Sequence, residues 1–138
     1  MIASNDFVSA AGFAFEKRRG VPLGHYELSV IEEAGLADAD CERLADEIWA
    51  SLDEERPEQY RITAYWALGK QCRDADRKKL ILALAHELPK NMHAVYQIMV
   101  ALTNHGEEVF SSSRGGSTSY DEADLNRADA TAYLARTK

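Results

Sequence analysis

The sequence predicts an all-α protein of about six or seven helices, arranged as antiparallel helical hairpins. Apolar residues return every three or four positions along most of its 138 residues, which is the period of an amphipathic helix. No segment alternates apolar and polar residues at period two, as a half-buried strand would. A composition of 46% hydrophobic and 28% charged residues is typical of a soluble globular protein, so residues 1–138 are predicted to form one domain.

The first two predicted helices lie on either side of a connector that contains glycine and proline. A cap at Asn5 or Asp6 begins a helix that runs to about Arg18. Its apolar stripe consists of Phe7, Ala11, Ala14 and Phe15. After the connector, a short helix over 26–34 ends at Gly35, because glycine readily adopts the conformation that terminates a helix.

The third and fourth predicted helices have clear starting signals. Asp38 or Asp40 can cap the third helix, whose acidic residues lie opposite its apolar row. That row consists of Leu44, Ile48 and Leu52, widened by Trp49. Pro57 begins the fourth helix, since a missing N–H costs nothing in the first turn. Its apolar residues are Ile62, Tyr65, Trp66 and Leu68.

The fifth and sixth predicted helices are joined by a tight turn. Asp74 or Asp76 begins the fifth helix and Pro89 ends it. Its apolar face consists of Leu80, Ile81, Leu84 and Leu88. Asn91 can cap the sixth helix, which Gly106 ends. Its inward residues are predicted to be Val95, Ile98, Met99 and Leu102.

The C-terminal part is predicted to contain one loop and one helix. Residues 111–120 are rich in serine and glycine, so we expect a flexible loop. The last helix should begin near Asp121. Its apolar face is predicted to consist of Leu125, Ala128, Tyr133 and Leu134.

A short pattern in the fourth helix returns 34 residues later, where TAYWAL is followed by QIMVAL. The stretch YRITAYWALGKQCRDADRKKLILAL resembles the bacterial HEAT-like repeat. The matching positions are Arg61, Ala64, Ala67, Leu68, Gly69, Asp74, Leu80 and Leu84. In the second copy, Val95 replaces the arginine and Thr103 replaces the glycine. The resemblance implies a short stacked array with its core over 58–106, and the alternative is an irregular bundle containing two similar helices.

Charge is unevenly distributed around the net value of −7. Between Glu32 and Glu58 there are eleven acidic and two basic residues, a local balance of −9. Between Arg61 and Lys90 there are seven basic and three acidic residues, a local balance of +4. A dense acidic surface repels nucleic acid and anionic membranes and speeds encounter with a basic partner. The predicted partner-binding residues are Glu42, Asp46, Glu47, Asp53 and Glu54.

No motif in the sequence predicts a catalytic, cofactor-binding or metal site. The string HELPKNMH begins like a zinc-protease motif, but Lys90 occupies the position of the second histidine and Pro89 interrupts the helix. Adjacent helices could still bring His86, His93 and His105 together, although histidines at helix ends more often satisfy carbonyl groups. The loop SSSRGGSTS lacks the Gly-Lys-Ser/Thr of a phosphate-binding loop.

We expect a cytoplasmic protein. Cys41 and Cys72 cannot form a disulfide framework, so a reducing compartment is the simpler assumption. The apolar run from Phe7 to Phe15 follows an acidic residue and precedes basic ones, which is the wrong order for a secretion signal. No apolar run has the length needed to cross a bilayer.

Together these features predict a non-catalytic protein-binding module. A small acidic helical chain of this kind resembles the immunity proteins encoded beside bacterial toxins, some of which have HEAT-like folds. That resemblance implies neutralisation of a cognate toxin, such as a basic nuclease, through the acidic surface. The alternatives are a HEAT-like scaffold or regulatory protein with another partner, and a nucleic-acid binder that uses the basic stretch 70–90. The overall acidity and the lack of aromatic residues among those basic residues disfavour nucleic acid.

Overall fold

The prediction of an all-α fold with six or seven helices is confirmed. The computed structural model describes residues 5–71 and 73–137, and within these ranges it contains seven α-helices and no β-strand. The helices are α1 (Asn5–Arg18), α2 (His25–Glu33), α3 (Cys41–Ser51), α4 (Glu58–Gln71), α5 (Arg77–Glu87), α6 (Met92–Asn104) and α7 (Ala123–Arg136). Short 3-10 turns cover Asp74–Asp76 and Ser112–Arg114.

The chain divides into two compact units, Met1–Gln71 and Cys72–Lys138. The sequence-based domain, 1–138 with a HEAT-like core over 58–106, stays a prediction. The two helices that carry the repeated pattern belong to different units, α4 to the first and α6 to the second. The repeated leucines, Leu68 and Leu102, are both fully buried, as the repeat requires.

In the first unit, α1 packs against α2, α3 and α4, and α3 also packs against α4. The larger side chains of this core are Val8, Phe15, Ile31, Leu44, Ile48 and Leu68. Gly12 allows α1 to approach α4 closely, because a Cβ atom added there would lie 2.3 Å from the Trp66 ring. The Trp66 ring also makes an edge contact with Phe13, at 5.6 Å between centroids.

Two of the predicted helix caps are present. Asp40 Oδ1 accepts hydrogen bonds from the backbone N–H groups of Glu42 and Arg43, at 3.1 and 3.2 Å. Asn91 Oδ1 accepts one from the backbone N–H of Ala94, at 2.8 Å. These side chains satisfy N–H groups that have no partner within their own helix, which explains where α3 and α6 begin.

In the second unit, α6 packs against α5 and α7. Its larger core residues are Leu80, Leu84, Val95, Ile98, Met99, Leu102, Val109 and Tyr133. The predicted inward face of α7 is partly wrong, because Leu125 is 50% exposed and Ala128 is exposed as well. The residues that α7 buries are Asn126, Ala130 and Tyr133.

The inward face of α7 differs from the predicted one because it includes Asn126, which contacts a buried arginine. Arg114, whose side chain is 6% exposed, donates to Asn126 Oδ1 at 2.9 Å, to Asp129 Oδ2 at 3.0 Å and to Glu122 Oε1 at 2.8 Å. Asn126 also donates to the backbone oxygen of Ser119, at 2.9 Å. These bonds connect the segment 111–120 to α7. The predicted flexibility of that segment stays a prediction.

A second polar network joins α7 to the residues that follow α6. Tyr133 Oη donates to Glu107 Oε1 at 2.8 Å, and Arg77 Nη2 donates to the same oxygen at 3.0 Å. Burial and the hydrogen bond to the neighbouring carboxylate raise the pKa of Tyr133 to about 12. The hydrogen bonds from Arg77 and Tyr133 lower the pKa of Glu107. The network is therefore most stable with the tyrosine protonated and the glutamate ionised.

We expect Tyr133→Phe to lower the free energy of unfolding near neutral pH by about 1 to 2 kcal/mol, because Glu107 loses one of its donors. An unfolded tyrosine loses its proton near pH 10, whereas folded Tyr133 keeps its proton up to about pH 12. The unfolded state therefore binds fewer protons in this window, so the stability of the wild type falls as pH rises through it. Urea unfolding near pH 8 and near pH 11.5 measures both effects.

Tyr120→Phe is the matched control, since Tyr120 is 55% exposed and lies in the same unit. The free energy of unfolding of this variant should match that of the wild type at both pH values. The assignment would be refuted if Tyr133→Phe lost stability between pH 10 and 12 as steeply as the wild type does.

Candidate protein-binding surface

The predicted acidic residues lie along one side of α3 and just beyond its end. The apolar row of α3 is turned into the core, with Leu44 and Ile48 buried. Helical geometry places Asp46 and Glu47 away from this row, and both are exposed. We call the following exposed residues the acidic face: Glu42, Asp46, Glu47, Asp53 and Glu54. Their role in partner binding stays a prediction.

Several members of the acidic face form ion pairs that were not predicted from the sequence. Glu42 forms an ion pair with Arg18 of α1 at 3.5 Å, and it accepts a hydrogen bond from Gln71 Nε2 at 3.2 Å. Glu47 pairs with Arg43 at 3.4 Å, one helical turn away. Exposed pairs of this kind each contribute about 0 to 1 kcal/mol, so the fold depends little on them.

Glu54 lies at the far end of the acidic face, where its basic neighbour is already bound elsewhere. Glu54 approaches Arg56 at 3.5 Å, with 79% of the glutamate side chain exposed. Arg56 Nε donates to the backbone oxygen of Ser51 at 2.8 Å, and its guanidinium lies over the Tyr60 ring. Arg56 is therefore held in place by contacts at the end of α3, while the Glu54 carboxylate remains exposed to solvent.

A groove of about 580 Å³ lies between α1 and α2 in the same unit. Its walls are formed by Asp6, Phe7, Ser9, Ala10 and Phe13 of α1, and by Tyr26, Val30, Glu33 and Ala34 at α2 and its C-cap. Tyr26 is 70% exposed, and Ile31 is the single buried residue of α2. The groove was not predicted. The available signal was the spacing of Tyr26, Val30 and Ala34, which places three apolar residues on one side of α2.

The basic stretch 70–90 is largely engaged in contacts within each unit. Arg73 donates to Asp76 Oδ1 at 2.6 Å, and Arg77 to Glu107 at 3.0 Å. In the first unit, Lys70 pairs with Glu16 at 3.5 Å and lies over the Trp66 ring. Arg73 is largely buried, whereas Lys78, Lys79 and Lys90 are exposed.

The structure does not bring the candidate histidines together. Throughout the described residues, no three His, Cys, Asp or Glu side chains lie close enough to hold a metal ion. His86 Nε2 is 3.0 Å from Lys90 Nζ, whereas His93 stacks on Tyr120 with 4.6 Å between ring centroids. Cys41 is buried, which raises the pKa of its thiol, and Cys72 lies outside the described residues.

Comparison with known proteins gives no relative to this chain. No protein-family model, no curated protein and no solved structure matches it. Among the described helices, none combines the length and the apolar character needed to span a bilayer. The two surfaces of the first unit that suggest a function are the acidic face and the groove between α1 and α2.

Proposed function

We propose that the chain is a non-catalytic protein-binding module whose partner presents a basic surface. The observation that supports this most is the acidic face, where five carboxylates lie exposed on and beside one helix. Like charges held close together repel one another and contribute little to folding. A surface that keeps them is suited to steering a partner of opposite charge into contact.

The specific form that we propose is an immunity protein that neutralises a toxin in the cytoplasm. In this role the acidic face covers the basic substrate-binding surface of a toxin domain, such as a nuclease. Carboxylates can occupy the positions where such an enzyme binds phosphate groups, since both are anionic hydrogen-bond acceptors. The resemblance to immunity proteins in size, acidity and helical content supports this form of the proposal.

Binding of nucleic acid by the basic stretch 70–90 receives less support. Phosphate binding requires arginine and lysine side chains that can replace counterions. The Arg73 side chain is 11% exposed and paired with a buried carboxylate, and Arg77 is paired with Glu107. Using either residue on phosphate would require breaking an ion pair within the unit.

We expect the double variant Asp46→Lys, Glu47→Lys to associate with the captured partner about tenfold more slowly at low salt than the wild type does. The difference should shrink as ionic strength rises, because the Debye length falls to about 3 Å near 1 M salt. Dissociation should change less than association. The experiment is affinity capture of the partner from the native host, followed by stopped-flow association kinetics at two ionic strengths.

The control is Glu108→Lys, Asp124→Lys, which makes the same change in net charge on exposed residues of the second unit. This control should associate nearly as fast as the wild type. Equal rates for both double variants would remove the acidic face from the interface. Recovery of nucleic acid with no protein would refute the proposed function.

A further inference from the structure

The groove between α1 and α2 has two ends of different chemistry. At one end the rings of Phe13 and Tyr26 meet edge to face, with 6.5 Å between centroids. The other wall residues extend from this pair along both helices, to Asp6 on α1 and Glu33 on α2. Tyr26 near the start of α2 meets Phe13, and the rest of α2 lines the same groove as the first turns of α1, so α2 runs back along α1. The groove therefore has the Phe13–Tyr26 ring pair at one end, and Asp6 and Glu33 line it towards the other, where Phe7 is also a wall residue.

The separation of the two ends follows from helix geometry. Asp6 precedes Phe13 by seven residues on α1, which corresponds to about 10 Å along the helix axis. Small or apolar side chains, such as those of Ala10 and Val30, also line the groove. Asp6 and Glu33 are exposed, so neither carboxylate is buried beneath the groove.

We infer that this groove binds a segment of the protein partner that carries an apolar side chain and a basic side chain about 10 Å apart. The apolar side chain would pack against Phe13 and Tyr26. This contact would bury aromatic surface that is otherwise exposed to water, which favours binding. The lysine or arginine would lie between Asp6 and Glu33. On a partner helix this spacing corresponds to residues i and i+7, which lie on the same face of the helix.

The open shape of the groove favours a polypeptide over a small molecule. Small-molecule sites enclose most of the ligand surface. Here one wall is formed by a residue that is 70% exposed, Tyr26, and both acidic side chains face solvent. A peptide can lie along such a groove and remain partly solvated, as an amphipathic helix does when it binds in a groove.

This inference rests on the proposed function, since it names the part of the protein partner that α1 and α2 contact. The probe is a random peptide library displayed on phage and selected against the intact chain. We expect enriched peptides to share an apolar residue and a lysine or arginine, separated by seven positions. Synthetic versions of these peptides then allow dissociation constants to be measured by fluorescence anisotropy.

Two matched pairs of variants locate the binding site on α2. Tyr26→Ala should weaken peptide binding about tenfold or more, whereas Leu28→Ala should change it less than about twofold, because Leu28 is exposed but does not line the groove. Glu33→Lys should weaken binding similarly, whereas the neighbouring Glu32→Lys should not. A peptide with glutamate in place of its basic residue should regain affinity for the Glu33→Lys variant.

The inference would be overturned if no basic residue were enriched, if the selection gave no binding peptide, or if each matched pair behaved alike. These outcomes differ from failure of the proposed function. If Tyr26→Ala leaves binding unchanged while charge reversal on the acidic face still slows association, the chain binds a protein elsewhere. If the host yields no protein partner at all, the proposed function fails whatever the peptides show.

Discussion

Replacing Asp76 with alanine should lower the free energy of unfolding of the second unit by about 3 to 5 kcal/mol. Asp76 is fully buried, and Arg73 reaches its Oδ1 with two nitrogens, at 2.6 and 3.1 Å. Removing the carboxylate takes away the charge that accepts these two hydrogen bonds from a guanidinium that is only 11% exposed. The penalty is large because a buried charge cannot recover the hydration that it lost on folding.

Asp74→Ala is the control, since Asp74 lies two residues earlier and is exposed. Urea unfolding followed by circular dichroism should place Asp74→Ala within about 0.5 kcal/mol of the wild type. An Asp76→Ala variant as stable as Asp74→Ala would contradict the buried ion pair. Arg73→Met, Asp76→Leu should recover part of the lost stability, because it removes both charges together.

Truncation of the two repeated leucines should have the next largest effect. We expect Leu68→Ala and Leu102→Ala each to destabilise the unit that contains it by about 2 to 5 kcal/mol. Both side chains are fully buried, Leu68 on α4 and Leu102 on α6. Each substitution removes apolar contacts and leaves a cavity that the surrounding helices can fill only partly.

Leu82→Ala provides the comparison, because Leu82 is a helical leucine that is 72% exposed. Its free energy of unfolding should stay within about 0.5 kcal/mol of the wild type. The measurement is again urea unfolding of the full chain. If Leu68→Ala or Leu102→Ala were as mild as Leu82→Ala, that leucine would not belong to a core.

The helices and two of their caps could be predicted from sequence because these features are local. The side chain of Asp40 reaches N–H groups two and three residues ahead, and that of Asn91 reaches one three residues ahead. The apolar row of α3 likewise depends only on helical spacing. The exposure of Glu42, Asp46 and Glu47 follows from the same row, because they lie on the other side of the helix.

The inward face of α7 could not be found in this way. Periodicity assigns apolar residues to the core, whereas α7 buries Asn126 and leaves Leu125 half exposed. The buried asparagine is explained by Arg114, which lies twelve residues earlier and donates to it. Composition indicated only a Ser/Gly-rich loop there and gave no sign of a buried arginine within it.

The groove and the ion pairs of the acidic face depend on how helices pack, which spacing along one helix does not reveal. Glu42 meets Arg18 and Gln71 across 24 and 29 residues of sequence. Tyr26 meets Phe13 because the connector between α1 and α2 allows the chain to reverse direction. None of these three contacts is encoded in a local motif. The HEAT-like and immunity resemblances concern whole-chain features and stay predictions.

The proposal with the widest consequence is that the first unit carries a surface for a protein partner. It is tested most directly by hydrogen–deuterium exchange of the chain with and without the partner captured from the native host. We predict that binding slows exchange in α2 and α3, beside the groove and the acidic face, and leaves α5 to α7 unchanged. Protection confined to residues 73–137 would contradict the account.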